Sequence, residues 1–167
     1  MGIRRAGRII ALQSLYQIDL GGSTEEQINN FIENYEFLQD DKDSKKDGFL
    51  EKSKEFAAEM VKTYFDNKEQ IDGIIPLYLK NWTFDRILAI DRNILRLGVA
   101  ELFFREDIPY KVTINEGIEL AKKFGDEKSG SFVNGVLDNI VKHEAPKYPL
   151  LVEKMKNEKK YSAKEKE

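Results

Sequence analysis

A chain of 167 residues with 41% apolar residues, ten Phe and seven Tyr is long enough to bury one core or two small cores side by side. The absence of cysteine removes disulfides, Cys-based zinc sites and thiol nucleophiles, and a single histidine, His143, removes His-rich metal sites. A net charge of −3 means that any nucleic acid is held by a local basic patch and not by bulk charge.

The apolar pattern is helical throughout, without convincing strand alternation. A first helix is expected over Ile3–Asp19, stopped by Gly21-Gly22. Ser23 then caps a second, with Glu26 completing a capping box and Ile28, Phe31, Ile32 and Tyr35 on its apolar side. Residues 39–48 form a charged loop. A third helix follows over Phe49–Phe65, and Lys68–Leu79 continues helically with a bend at Pro76. Thr83 caps the next helix, whose broad apolar face (Ile87, Leu88, Ile90, Ile94, Leu95, Leu97, Val99, Leu102 and Phe103) marks it as central. Asp107-Ile108-Pro109 breaks it. Thr113 and Glu116 form a second capping box, opening a helix to Phe124 with Gly125 as its C′ residue. The last of about seven helices is SGSFVNGVLDNIVK, Ser129–Lys142. After Pro149 the composition turns to Lys and Glu, and residues 150–167 read as a flexible charged tail.

No apolar run approaches the roughly 20 residues that span a bilayer, and the N-terminal arginines are not followed by a signal-peptide core. A soluble cytoplasmic protein is expected. Phosphate-cradling glycine loops, the nucleophile elbow and the zinc-protease motif are all missing. Serines and threonines sit mainly at expected caps, and the acids lie in polar surroundings. No catalytic residue, metal site or cofactor is expected, so an enzyme is the weaker class.

Two stretches carry the functional signal. In the first helix, Arg5, Arg8, Leu12 and Tyr16 share one line, with Arg4 beside its start and Gln13 beside its middle. Arginine offers forked donors to phosphate, and tyrosine stacks on splayed bases. Arginines also oppose the helix dipole at an N-terminus, which hints at a use other than helix stability. The alternative is a solvated basic helix end with Tyr16 half-buried. In the last helix, Val133, Val136, Leu137, Ile140 and Val141 form the core arc, and Phe132 lies at its edge in the first turn. Phe132 is either a lid on the core or a platform for a ligand. Gly135 suggests a close approach by a backbone or a ligand, and His143 a boundary position.

Three blocks resemble the NusB family of bacterial transcription antitermination factors. IPYKVTINEGIELAKKFGDEKSGSFVNGVLDNIV (Ile108–Val141) is similar to its C-terminal signature, RRAGRIIALQSLYQ (Arg4–Gln17) to its opening, and ILAIDRNILRLGVAEL (Ile87–Leu102) to its central helix. The resemblance covers about residues 3–142. It implies an all-α fold of two small packed helical bundles within residues 1–149. It implies binding of boxA RNA of rRNA leader and antiterminator transcripts, together with ribosomal protein NusE. Other Nus factors and RNA polymerase would be engaged indirectly, so that premature termination is suppressed. Carried over by position, it places RNA contacts at Arg4, Arg5, Arg8, Gln13, Tyr16 and Phe132, and Lys128, where this chain departs from the family, is expected to join them. It places contacts to NusE, a basic protein, at Asp85 and Asp91.

The chain departs from the family pattern at two of these places. Gly7 stands where the family usually has Ala, which should loosen the first turns. Lys128 stands where an acid is common, which should strengthen attraction to phosphate. With the resemblance, Phe132 becomes a base-stacking platform and the Ser-Gly-Ser before it a flexible approach. The resemblance leaves open whether the free protein is a homodimer. Two alternatives remain: a helical protein–protein interaction module, and a stand-alone relative of the RNA-binding domain of an rRNA cytosine methyltransferase. The second lacks a cysteine nucleophile here.

Overall fold

The computed structural model describes residues 1–37 and 46–164, with side chains through residue 158. The described residues form eight α-helices and two 3-10 turns, in two compact units, residues 1–68 and 69–167.

The first unit holds α1 (Ile3–Gly21), α2 (Glu25–Glu33) and α3 (Phe49–Asp66). The apolar face of α1 is wide, and Ala6, Ile10, Ala11, Leu12 and Leu15 are fully buried. Gly7 is the point of closest approach to α3: a Cβ there would lie 2.7 Å from Phe56 Cδ1 and 2.8 Å from the Ser53 carbonyl oxygen. The expectation that Gly7 loosens the first turns is thereby corrected, because the missing side chain is what lets α3 pack this close. Gly22, at φ 67°, ends α1 in the left-handed region, with its N–H donating to Ile18 O. This turn leaves Thr24 as the extended residue ahead of α2. The capping box is therefore Thr24 with Gln27, one residue beyond the expected Ser23 and Glu26. Edge-to-face rings at Phe31, Tyr35 and Phe37 lead on to Phe49 at the start of α3. Of the expected 39–48 loop, residues 39–45 lie outside the described residues, and Gly48, at φ 72°, precedes α3.

In the second unit, α4 (Lys68–Ile74) runs into a 3-10 turn at Ile75–Tyr78 around Pro76. Then come α5 (Ala89–Phe104), α6 (Tyr110–Phe124), α7 (Ser129–Glu144) and α8 (Pro149–Lys164). Every residue of α5 from Asn93 to Phe103 is buried, as its all-round apolar pattern requires. Leu137 of α7 fills the space left by two glycines. A Cβ on Gly98 of α5 would meet it at 2.9 Å, and one on Gly117 of α6 at 3.2 Å. Arg96 of α5 grips Asp72 with two donors, at 2.9 and 3.2 Å, and lies over the Phe84 ring.

Several expected boundaries move for tertiary reasons. Thr83 does not cap α5. It opens a turn closed by the Arg86 and Ile87 N–H groups, and the helix starts at Ala89 after Leu88, which is 47% exposed. Arg92 holds this turn by donating to the Phe84 carbonyl oxygen at 2.8 Å. Nor is Thr113 a cap, since α6 begins at Tyr110 behind extended Pro109 and the Thr113 hydroxyl is spent on the buried Glu101 carboxylate. Gly125 ends α6 in an extended conformation, not a left-handed one. It is needed there because a Cβ would fall 2.3 Å from Ser129 Oγ. The expected flexible tail is corrected in its first turns. Leu151 is fully buried, Lys154 donates to the Glu101 carbonyl oxygen at 2.8 Å, and Glu158 pairs with Lys111. Tyr148, just ahead of α8, stacks on Phe103 at 4.1 Å between ring centres.

Candidate nucleic-acid interface

The expected RNA residues fall into two sets, one in each unit. On α1, Arg4 and Arg5 are exposed, Gln13 and Tyr16 are half-buried, and Leu12 is fully buried. Arg8 is only 4% exposed, with its guanidinium 5.3 Å from the centre of the Phe56 ring; that of Arg4 lies 5.7 Å from the same ring. The line from Arg5 to Tyr16 is therefore not an open strip. Its middle turns inward, because the Gly7 contact brings the Phe56 ring beneath the guanidinium groups.

The second set lies at the head of α7. Asp126 Oδ1 accepts from the N–H groups of Lys128 and Ser129 at 2.9 and 3.0 Å, and Ser129 Oγ accepts from the Asp126 N–H at 3.0 Å. This exchange satisfies donors that a helix start leaves unpaired. Ser129 is 1% exposed. The Ser-Gly-Ser is thus the pinned first turn of α7, and the expectation of a flexible approach is corrected.

This pinned turn presents Phe132, half-buried, to a groove of about 590 Å³ shared with Lys128, Asp91, Arg86, Leu88 and Trp82. The only tryptophan of the chain, Trp82, is 59% exposed. Asp91 is 5% exposed, and its Oδ1 has no hydrogen-bond partner. Burial pushes the Asp91 carboxyl above its ordinary range and the charge of Asp126 adds to this, while Ser129 opposes it. The structure thus brings Asp91, Lys128 and Phe132 together. Asp85 is exposed in the preceding turn and does not line the groove.

Trp82, Arg86 and Leu88 are not legible as groove residues in the sequence. The one available signal is a lone tryptophan in a break between helices. A Cβ added to Gly135 would have no neighbouring atom within 4 Å, so no backbone approaches it closely, and the glycines that Leu137 of α7 packs against are Gly98 and Gly117. His143 stacks on Tyr78, whose hydroxyl donates to Glu144 and is pushed up to about 12 by burial and that carboxylate.

Among the described residues no cluster of His, Cys, Asp and Glu can hold a metal ion, and no helix is long and apolar enough to cross a membrane. Helices alone, with a groove of aromatic, basic and acidic side chains, define an all-α binding protein.

The NusB family model matches residues 5–142. Transcription antitermination protein NusB of Acetivibrio thermocellus is 43% identical over 140 residues, covering 83% of this chain and 88% of that protein. The Bacillus mycoides protein of the same name is 44% identical over 137 residues, covering 82% and 95%. Among solved structures, T. maritima NusB superposes with a TM-score of 0.72 at 38% identity, covering 92% of this chain and 96% of that one. A crystal structure of antitermination factors NusB and NusE in complex with dsRNA gives 0.66 at 34% identity, covering 83% and 95%. The chain belongs to the NusB family, whose members are transcription antitermination proteins and not enzymes.

Proposed function

We propose that this chain binds boxA RNA of rRNA leader and antiterminator transcripts together with ribosomal protein NusE, and joins other Nus factors on RNA polymerase in the cytoplasm to suppress premature termination. The observation that carries this reading is the open groove at the head of α7, where Phe132 offers a stacking face beside the cation of Lys128. The solved relative containing NusE and dsRNA supports both partners.

On α1, the exposed Arg4 and Arg5 serve as phosphate contacts, with Gln13 and Tyr16 half-buried beside them. Arg8 contributes by holding Phe56 in place. Asp85 is the exposed acid offered to basic NusE, whereas Asp91 lies inside the groove.

Titration of boxA RNA with the protein alone and with NusE tests the reading. Tighter, sequence-dependent binding in the presence of NusE is expected; no RNA binding in either case overturns it. Lys128→Asp should weaken binding and flatten its salt dependence.

A further inference from the structure

Helix α8 lies beyond residues 5–142, the part of the chain that the family shares, yet it is docked against the end of α5 and the start of α6. Its hold is thin. Among its described side chains Leu151 is the one buried apolar group, whereas α7 buries Val133, Val136, Leu137, Ile140 and Val141. The next inward side chain is a lysine. Lys154 is 6% exposed and donates to the Glu101 carbonyl oxygen at 2.8 Å. An ammonium carries three donors, and this acceptor is neutral. The Glu101 carboxylate accepts from Thr113, and Asp107 pairs with Arg105. Burial lowers Lys154 to about 8; Glu101 and Asp107 oppose this, and Arg105 adds to it. The other groups that face α8 are Tyr148, stacked on Phe103, and Lys111, paired with Glu158.

Burying a cation without a paired countercharge is costly. A terminal helix held by one leucine and loosened by its own lysine has the makeup of a segment that opens locally. We propose that α8 is a detachable strap: it lifts from the α5–α6 corner as a unit while α5, α6 and α7 stay folded, and the charge on Lys154 sets how often it does so. The corner is then a face that the chain covers itself, open to a partner only while the strap is away. Docked Lys154 holds its proton less tightly than the free side chain does, so proton release favours docking. The strap is loosest below pH 8 and tightens as pH rises toward 10.5.

The chain has no cysteine, so a single thiol can be introduced as a reporter. Labelling rates of Leu151→Cys and Leu137→Cys are compared, each corrected for thiolate content with a free peptide. Labelling at 151 is expected to be at least ~100-fold faster than at 137, indifferent to low urea, and to fall roughly tenfold from pH 7 to pH 9. Adding Lys154→Met should slow labelling at 151 and abolish that fall. Equal rates at the two positions overturn the proposal, and so does a rate at 151 that Lys154→Met leaves unchanged or raises. Hydrogen exchange of the unaltered chain guards against Leu151→Cys itself loosening α8. Its amides should exchange well before those of α5; equal protection overturns the strap.

Discussion

The heads of α1 and α7 both carry the residue types of an RNA contact, yet they are built in opposite ways. On α1 the neighbouring helix comes close: Gly7 admits Phe56, the ring stacks under Arg4 and Arg8, and Arg8 is left 4% exposed. At α7 the first turn is tied down by Asp126 and Ser129, and the space beside Phe132 stays open to Trp82 and Leu88. A basic helix end is thus partly consumed by packing, whereas a capped helix end frees its aromatic residue. Similar residue spacing does not imply similar availability.

The largest expected effect that sharpens this contrast is on the packed side of α7 itself. Leu137 is fully buried against Gly98 and Gly117, so Leu137→Ala should cost about 2–5 kcal/mol in urea unfolding. Gly7→Ala comes next. The added methyl meets a side chain and a backbone oxygen below 3 Å. The strain of about 1–3 kcal/mol exceeds the roughly 1 kcal/mol gained in helix propensity, so a lower melting temperature is expected; a higher one would show that the α1–α3 seam adjusts easily. Phe132→Ala should cost only about 1 kcal/mol of stability, since the ring is half-buried, while RNA affinity falls by about 1–3 kcal/mol. A large stability loss with intact binding would return Phe132 to the core.

The two arginines give a finer test. Arg8→Ala should lower stability by about 1 kcal/mol through loss of its ring contact. Arg5→Ala should leave stability unchanged and reduce the salt slope of RNA binding by about one. If Arg8→Ala instead changes only the slope, α1 is as open as α7. The shallowest effect concerns α8. Burial lowers Lys154 from 10.5 to about 8, partly offset by Glu101 and Asp107. Between those values the unfolded chain binds more protons than the folded one, so this residue makes stability rise with pH across that window. Comparison with Lys154→Met in urea melts at pH 7 and pH 9.5 should show a flatter dependence in the variant.

The helices themselves are legible in the sequence because their apolar periodicity is local. The spacing places α3 to within a residue, and it gives the core arc of α7, from Val133 to Val141, residue by residue. Caps are less legible. Thr24, Leu88 and Pro109 start their helices in place of Ser23, Thr83 and Thr113. Each shift follows a distant or neighbouring bond, such as Thr113 to Glu101 or Arg92 to the Phe84 carbonyl, that competes with the local cap.

By itself, then, the sequence determined that the chain is helical, that it lacks the residues for thiol or histidine-rich chemistry, and that it resembles the family to which it belongs. These follow from residue type and spacing along one chain. Only the tertiary structure decided which of the spaced residues are available. It buried Arg8 over Phe56, docked α8 through Leu151 and Lys154, and placed Asp91 in the groove with Phe132 and Trp82. The physical reason is that availability depends on what the neighbouring element brings to a face. A missing Cβ at Gly7 or a turn held by Arg92 settles that across segments distant in sequence.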